Sequence, residues 1–479
     1  MIEKIKQLEA VSKALEPGKD ARADLQKHVL EYTENFLDHI HELPAFVISE
    51  SQGAGINDLP VSEQPRSIET LLASIGANVD GVALNPASAG HLGYIPGGGI
   101  YPSALGDYLA AITNRFAGIF FASPGAVRME NLLIDWMASV IGYPKGASGN
   151  LTSGGSIGNL SGIVAARDAH NLRAKDFERS VIYLTEQAHH SVDKAIRIAG
   201  LKDCVHRNIP MDEHFRMDAE ILERMIIEDK KAGLNPFLLI AAAGTTDTGA
   251  VDPLPALSDV CRRFNLWNHV DGAYGAFFVL CDEGKHILNG IELSDSLVMD
   301  PHKGLFLPYG TGAVLIRDQQ KLFDSYWYEA SYLQDAANQG EQLSPADLSP
   351  ELSKHFRGLR MWLPLQLFGV APFRAALEEK LLLTRYFFEE IQAIDGIEVG
   401  PFPDLSVMTY RYIPKKGDPD EFNEKLVKEV HRDGRVFLSS TNLNGKFTLR
   451  LAVLSFRSHL NTIDLTLEIL KEKIKLLEG

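Results

Sequence analysis

Two periods of apolar residues alternate through the middle of this chain. Short β-rich runs, "SVIYLT", "PFLLIAAAGTT" and "LWNHVDGAYG", are each joined to stretches of helical period, among them "HHSVDKAIRIAG", "DAEILERMIIEDKKAG" and "PLPALSDVCRRFN". Strand-length apolar runs that alternate with helical patterns are the mark of βαβ units. Residues from about 100 to 318 therefore predict an α/β fold with a mostly parallel sheet and helices on both faces. In such sheets ligands sit beyond the carboxyl ends of the strands, so those ends deserve a close reading.

The flanks differ. Residues 1 to about 45 carry helical periodicity broken at "EPGKD", and "ISESQGAGINDLPVSEQP" then reads as a linker. This arm is expected to pack on another surface, a second subunit or the body of its own chain. From about residue 370 the pattern becomes a long helix ("FRAALEEKLLLTRYFFEEIQAI"), strand-like "LSVMTYRYI", a helix, a hairpin through "NLNG" and a final helix. The expected division is an N-terminal helical arm and linker over 1–95, a large α/β domain over 96–370 and a small α+β domain over 371–479. Between the two larger parts lies "LQDAANQGEQLSPADLSPELS", polar and aperiodic, a length of loop that is usually functional or disordered.

Composition narrows the classes. With 45% hydrophobic and 23% charged residues over 479 positions, the chain reads as globular and large enough for more than one domain. A formal net charge of -16 argues against binding a phosphate backbone, which depends on clustered Lys and Arg. The longest apolar run, "PFLLIAAAG", is too short to cross a bilayer and reads as a buried strand. Cys204, Cys261 and Cys281 are odd in number and widely spaced, which suits a reducing cytoplasm. The N-terminus has no cleavable signal pattern.

Four strand ends carry unusual residues. "NLTSGGSIGN" is a strand, a Gly/Ser turn and a helix start; Gly154, Gly155 and Ser156 form either a plain capping turn or an anion site built from unpaired amides and the helix dipole. Its spacing matches neither the dinucleotide nor the P-loop fingerprint. "TEQAHHSVDKA" sets His189 and His190 at the start of a helix, where a ring can be structural or can stack on an aromatic group. A His pair without a third ligand does not make a metal site. Asp271 ends the apolar strand of "LWNHVDGAYG", a costly place for a carboxylate unless it caps a helix or meets a cation, and Gly272 and Ala273 leave room for something flat. Lys303 follows Asp300, Pro301 and His302 just beyond "SDSLVM", where desolvation disfavours its charged form and something must hold it.

One chemical specification accounts for these parts. Pyridoxal 5'-phosphate needs a lysine to carry its aldehyde, a carboxylate to keep its ring nitrogen protonated, an anion site for its phosphate and a surface to cover its ring. A nearby opposite charge shifts a pKa by about 1 to 3 units, so the carboxylate is the energetic centre. Lys303, Asp271, the turn Gly154 to Ser156 and His189 supply all four.

The order of "TSGGSIGN", "QAHHSVDKA", "HVDGAYG" and "DPHKG", with "FRGLRMW" and "FTLRLAV" downstream, resembles the group II pyridoxal-phosphate decarboxylases, the family of the aromatic amino acid, histidine and glutamate decarboxylases. The resemblance covers roughly residues 70 to 470. It implies the type I, aspartate-aminotransferase-like fold, with a mostly parallel seven-stranded sheet and a small C-terminal domain, in a homodimer whose active sites lie at the subunit interface. By motif, Lys303 is the cofactor lysine, Asp271 the ring-nitrogen partner and His189 the stacking residue. The resemblance also places Gly155, Ser156, Thr246, His302 and Asp300 around the phosphate or ring, packs Ala273 on the ring, and offers Arg450, Tyr94 and Ile95 for the substrate.

Three departures stand out. Asp300 and Gly304 occupy positions where aromatic decarboxylases usually carry Asn and Trp, as other branches do, including the phosphorylated-sphingoid-base lyases. Pro345 falls where many members place a loop tyrosine that protonates the carbanion; Tyr326, Tyr328 and Tyr332 lie upstream. The expected function is α-decarboxylation of an L-amino acid, aromatic by first choice. The alternatives are a carbon–carbon lyase of the sphingoid type and decarboxylation with oxidative deamination to an aldehyde.

Overall fold

The computed structural model describes residues 1–328 and 342–479. Its centre is a seven-stranded sheet: β1 (Ser148–Thr152), β2 (Ser180–Leu184), β3 (Val205–Asn208), β4 (Asn235–Ala242), β5 (Trp267–Asp271), β6 (Ser296–Met299) and β7 (Gly312–Ile316). The order across it is β1-β7-β6-β5-β4-β2-β3. Neighbours are parallel except around β7, which runs antiparallel to both β1 and β6. Strands β2, β6 and β7 are buried at every residue, as two covered faces demand, and their sequences are accordingly near-continuous apolar runs. The edge strand β3 instead alternates, leaving His206 and Asn208 exposed, a polar edge that discourages pairing with another chain. "PFLLIAAAG" is β4, a buried strand as its length suggested.

The C-terminal part is a four-stranded antiparallel sheet of β8 (Ile397–Val399), β9 (Val407–Tyr412), β10 (Ser439–Leu443) and β11 (Lys446–Ala452), in the order β8-β9-β11-β10. The hairpin turns at Asn444 and Gly445, both at positive φ (51° and 76°), the backbone that a two-residue turn matching strand twist requires. Helices Ala371–Ile391, Pro419–Asp433 and Leu460–Glu478 pack on this sheet around a core of their own, with Phe387, Tyr410, Leu426, Leu451 and Leu470 inside.

The arm consists of helices Ile2–Ser12 and Lys19–Asp38, neither of which buries a residue. The second is tied to the body by Gln26 Nε2 donating to Tyr108 Oη at 2.7 Å and by Tyr32 Oη donating to Asp80 Oδ2 at 2.5 Å. After residue 341 the chain forms a short turn, Pro345–Leu348, with Pro345 buried. It is then anchored by Lys354 Nζ, 2.7 Å from Glu130 Oε2 and 2.8 Å from Asn150 Oδ1. Tyr332 and the first part of the polar loop lie outside the described residues.

Candidate active site

Because β1, β2, β4, β5 and β6 run the same way, their carboxyl ends open on one edge of the sheet. A cavity of about 200 Å³ lies there. Its walls are the segments that follow those strands: Gly154 to Ser156, Thr185 to His189, Gly244 to Thr246, Asp271 to Tyr274, and Asp300 to Lys303. Gly154, Gly155, Ser156, His189, Thr246, Asp271, Ala273, Asp300, His302 and Lys303 all line it, so the structure gathers every residue expected to hold a cofactor.

On one wall, Asp271 closes β5 with both oxygens engaged. Oδ2 accepts from Asn159 Nδ2 at 2.9 Å and Oδ1 from the backbone amide of Ala273 at 3.1 Å. Asn159, buried in helix Gly155–Ala169, also meets Ser191 Oγ through Nδ2 (3.1 Å) and His269 Nε2 through Oδ1 (2.9 Å). His189 caps helix His190–Ile198; its Nδ1 lies 2.8 Å from Ser191 Oγ and accepts from the Ser191 amide at 3.2 Å. Burial pushes the His189 imidazole below its ordinary pKa, against the pull of Asp271 and with the push of His190 and Lys303.

On the other wall, Lys303 sits in the single turn Pro301–Gly304 with its Nζ 3.2 Å from Asp300 Oδ2. That carboxylate is what holds the lysine at a strand end. His302 Nε2 lies 3.7 Å from the same oxygen while His302 Nδ1 is 2.6 Å from the carbonyl of Thr311, and burial pushes this histidine down as well. Among the described residues Asp300 Oδ1 is buried with no hydrogen-bond partner, as is Gln187 Oε1 in the segment opposite.

The turn between the walls has the shape of an anion cradle. Gly154 takes φ 155°, ψ 173°, a conformation that a side chain strains. A Cβ on Gly155 would stand 3.0 Å from Asp300 Oδ2 and 3.1 Å from the Ala273 Cβ, crowding the space between the walls. Among the described residues the amides of Gly155 and Ser156 have no acceptor, since the first amides to bond back are those of Ile157 and Gly158, both to the Gly154 carbonyl. Unpaired amides at a helix start, a lysine, an engaged carboxylate and two orphaned polar atoms around one cavity fit a flat, phosphate-bearing aldehyde with a ring nitrogen.

The three residues expected to meet substrate stand elsewhere. Arg450, on β11, is behind the wall: its guanidinium donates to the carbonyls of Thr246, Asp247 (2.9 Å) and Tyr94 (3.5 Å) and to Ser439 Oγ (2.8 Å). Tyr94 is 57% exposed, at φ 51° with its ring against Phe437, and Ile95 is buried in the main core. None of the three lines the cavity. Conversely, Asn159, Thr185, Gln187, Ser191 and Tyr274 line it without having been singled out. Asn159 stood in view within "TSGGSIGN", one helical turn beyond Gly155 and hence on the face that looks back at the site.

Comparison with known proteins agrees with this geometry. The family model of the pyridoxal-dependent decarboxylase conserved domain matches residues 53–412. An aromatic-L-amino-acid decarboxylase of Bacillus atrophaeus is 36% identical over 88% of this chain and 89% of its own. A phenylacetaldehyde synthase of Petunia hybrida is 30% identical, covering 87% of each chain. Among solved structures, Oryza sativa TDC, crystallised with PLP and tryptamine, superposes with a TM-score of 0.91 at 25% identity, over 97% of this chain and 99% of the other. With a family match across most of its length and relatives of this similarity, the chain belongs to the pyridoxal-dependent decarboxylases, enzymes that use pyridoxal phosphate to decarboxylate amino acids.

Proposed function

We propose that this enzyme removes the α-carboxylate of an aromatic L-amino acid, releasing carbon dioxide and the amine. The observation that carries the reading is the meeting of Lys303, Asp271 and the Gly154 to Ser156 turn on one cavity. When bound, pyridoxal phosphate supplies the electron sink for the bond broken at Cα. Lys303 Nζ is the amine that would hold its aldehyde, and the Gly155 and Ser156 amides would hold its phosphate. Asp271, kept in place by Asn159 and Ala273, would hold a proton on the ring nitrogen. His189 and Ala273 would cover the two faces of the ring. Arg450 acts by bracing the Thr246–Asp247 segment.

The aromatic preference draws on the Bacillus atrophaeus relative. A second reading, oxidative deamination to an aldehyde, has a specific support: Pro345 stands where a loop tyrosine is expected, and the Petunia hybrida relative is an aldehyde synthase. We assign the protein to a homodimer, because Ile2, Ile5, Leu8 and Val11 stand exposed on a helix none of whose residues is buried. The division into arm (1–95), large domain (96–370) and small domain (371–479) is supported by the separate core of the C-terminal sheet. Among the described residues no helix is long and apolar enough to cross a membrane, and the free, buried cysteines suit the cytoplasm.

The test is carbon dioxide release by the cofactor-loaded protein against the common L-amino acids and their hydroxylated aromatic derivatives, with oxygen uptake followed in parallel. Release with aromatic substrates and no oxygen uptake supports the decarboxylase. Equivalent oxygen uptake with ammonia and peroxide selects the aldehyde reading. Lys303→Ala should abolish turnover and borohydride-fixed cofactor while the chain stays folded; sustained turnover by that variant would refute the role given to Lys303.

A further inference from the structure

Behind the Asp271 wall lies a run of buried polar groups that no step of the reaction uses directly. Trp267 Nε1 donates to Ser296 Oγ at 2.7 Å, Ser296 Oγ lies 2.7 Å from His269 Nδ1, and His269 Nε2 lies 2.9 Å from Asn159 Oδ1. The same Asn159 donates through Nδ2 to Asp271 Oδ2 and to Ser191 Oγ, and Ser191 Oγ lies 2.8 Å from His189 Nδ1. His269, Asn159, Ser191 and Ser296 are all buried.

The proton positions along this run follow from one end. An ionised Asp271 only accepts, so the Asn159 amide must turn its Nδ2 toward it and its Oδ1 toward His269. His269 Nε2 must then carry a hydrogen. His269 is held neutral by burial, which pushes it down to about 4, so its Nδ1 is bare and accepts the hydroxyl proton of Ser296. Ser296 Oγ is free to do this because its lone pair already takes the Trp267 N–H. In the other direction, Ser191 Oγ accepts from Asn159, which leaves its own hydrogen for His189 Nδ1. The Ser191 backbone amide points a second donor at that same nitrogen. A hydrogen on His189 Nδ1 would face the Ser191 amide, a donor that cannot turn away.

We propose that Asn159, with His269 behind it and Ser191 before it, is a positioning residue that locks His189 as the Nε2–H tautomer. The ring nitrogen that remains, Nε2, has no hydrogen-bond partner among the described residues and belongs to a side chain that lines the cavity. It is therefore a hydrogen-bond donor, suited to an anionic group such as the substrate's carboxylate, and it cannot accept a proton there. One amide thus orients both the carboxylate of the ring-nitrogen side and the imidazole that covers the ring. The inference deepens the proposed function and rests on it for the ligand, but the tautomer itself is readable without turnover.

The experiment is two-bond 1H–15N correlation of histidine-labelled, cofactor-loaded protein, with His189 and His269 assigned by substitution. Both rings are expected as neutral Nε2–H forms; His189 found as Nδ1–H or as imidazolium would overturn the proposal, whatever the activity. In Asn159→Ala the Nδ1–H form of His189 should rise to a measurable share, because Ser191 is no longer polarised. A folded Asn159→Ala protein with His189 unchanged would equally overturn it. Should that variant not fold, Ser191→Ala removes only the hydroxyl and must move the same resonance in the same direction; an unmoved resonance counts against the proposal. A loss of decarboxylation with the tautomers as expected would sink the proposed function and leave this inference standing.

Discussion

The two carboxylates of the cavity are built differently. Asp271 has a donor on each oxygen and a buried amide–imidazole–hydroxyl run behind it, whereas Asp300 has one oxygen on Lys303 and the other, among the described residues, without a partner. A buried acceptor without a partner is costly, and it persists where a ligand is to complete the site. The Asp271 wall is finished before any ligand arrives. The Asp300 wall is left to be rearranged, which suits the roles proposed for Lys303, whose partner would change, and for Asp271, which would stay fixed.

Asp271→Asn should break the comparison most visibly. The amide cannot hold a proton on a ring nitrogen by charge, and it turns a donor toward either Asn159 Nδ2 or the Ala273 amide. Loss of an opposite charge is worth about 1 to 3 pKa units on the partner, so kcat should fall by several orders of magnitude while borohydride still fixes cofactor on Lys303. Near-normal kcat would mean that another residue serves the ring nitrogen.

The difference between the walls also marks what the sequence disclosed. Lys303, Asp271, His189 and the glycine turn were legible because each breaks the apolar pattern at the end of a strand, where a charge or a bare turn needs a cause. Five of the seven strands were legible for the same reason, as apolar runs between helical patterns, whereas β3 and β7 were not singled out, β3 being a short edge with alternate residues exposed. His269 was not legible, because a polar residue one layer behind a site is distinguished only by the partners that tertiary packing brings to it, and Asn159, although at the right helical spacing, has a residue type that does not set it apart. Arg450 shows the converse: its motif was recognisable, but pairing with Ser439 across β10 and β11 turns its guanidinium onto backbone carbonyls. The arm's helical period was visible too, yet periodicity does not name what the helix packs against.

Acid should attack the finished wall. His269 is pushed down to about 4 by burial, and His91, buried beside Phe437, likewise to about 4. Both are depressed in the folded state, so between about pH 6.5 and 4 the unfolded chain binds two protons that the folded chain does not. Asp252 opposes them: burial raises it to about 6, so the folded state holds its proton in the same range. With His189 and His302 depressed as well, the unfolded chain binds the larger number of protons, and stability falls as pH falls through that window. Denaturant midpoints at pH 6.5, 5.5 and 4.5 check the sign; a stability that rises toward pH 4.5 would contradict the neutral His269 on which the Asp271 wall depends.

Asp300→Asn sharpens the contrast from the other side and should have the smallest effect. Removing one partner of a buried ion pair leaves a charge uncompensated, but Lys303 is 22% exposed, so water limits the loss to about 1–2 kcal/mol in the cofactor-free protein. The change also removes the buried, unpartnered Asp300 Oδ1 as a charged atom, which offsets part of that cost. Once cofactor occupies Lys303 Nζ, the lysine no longer depends on Asp300, and most of the stability difference should vanish. Unfolding of wild type and variant, each with and without cofactor, gives the four numbers required. An equal loss in both states would show that Asp300 is as much a finished structural carboxylate as Asp271. A loss confined to the cofactor-free state would show a carboxylate that holds a lysine only until its ligand does.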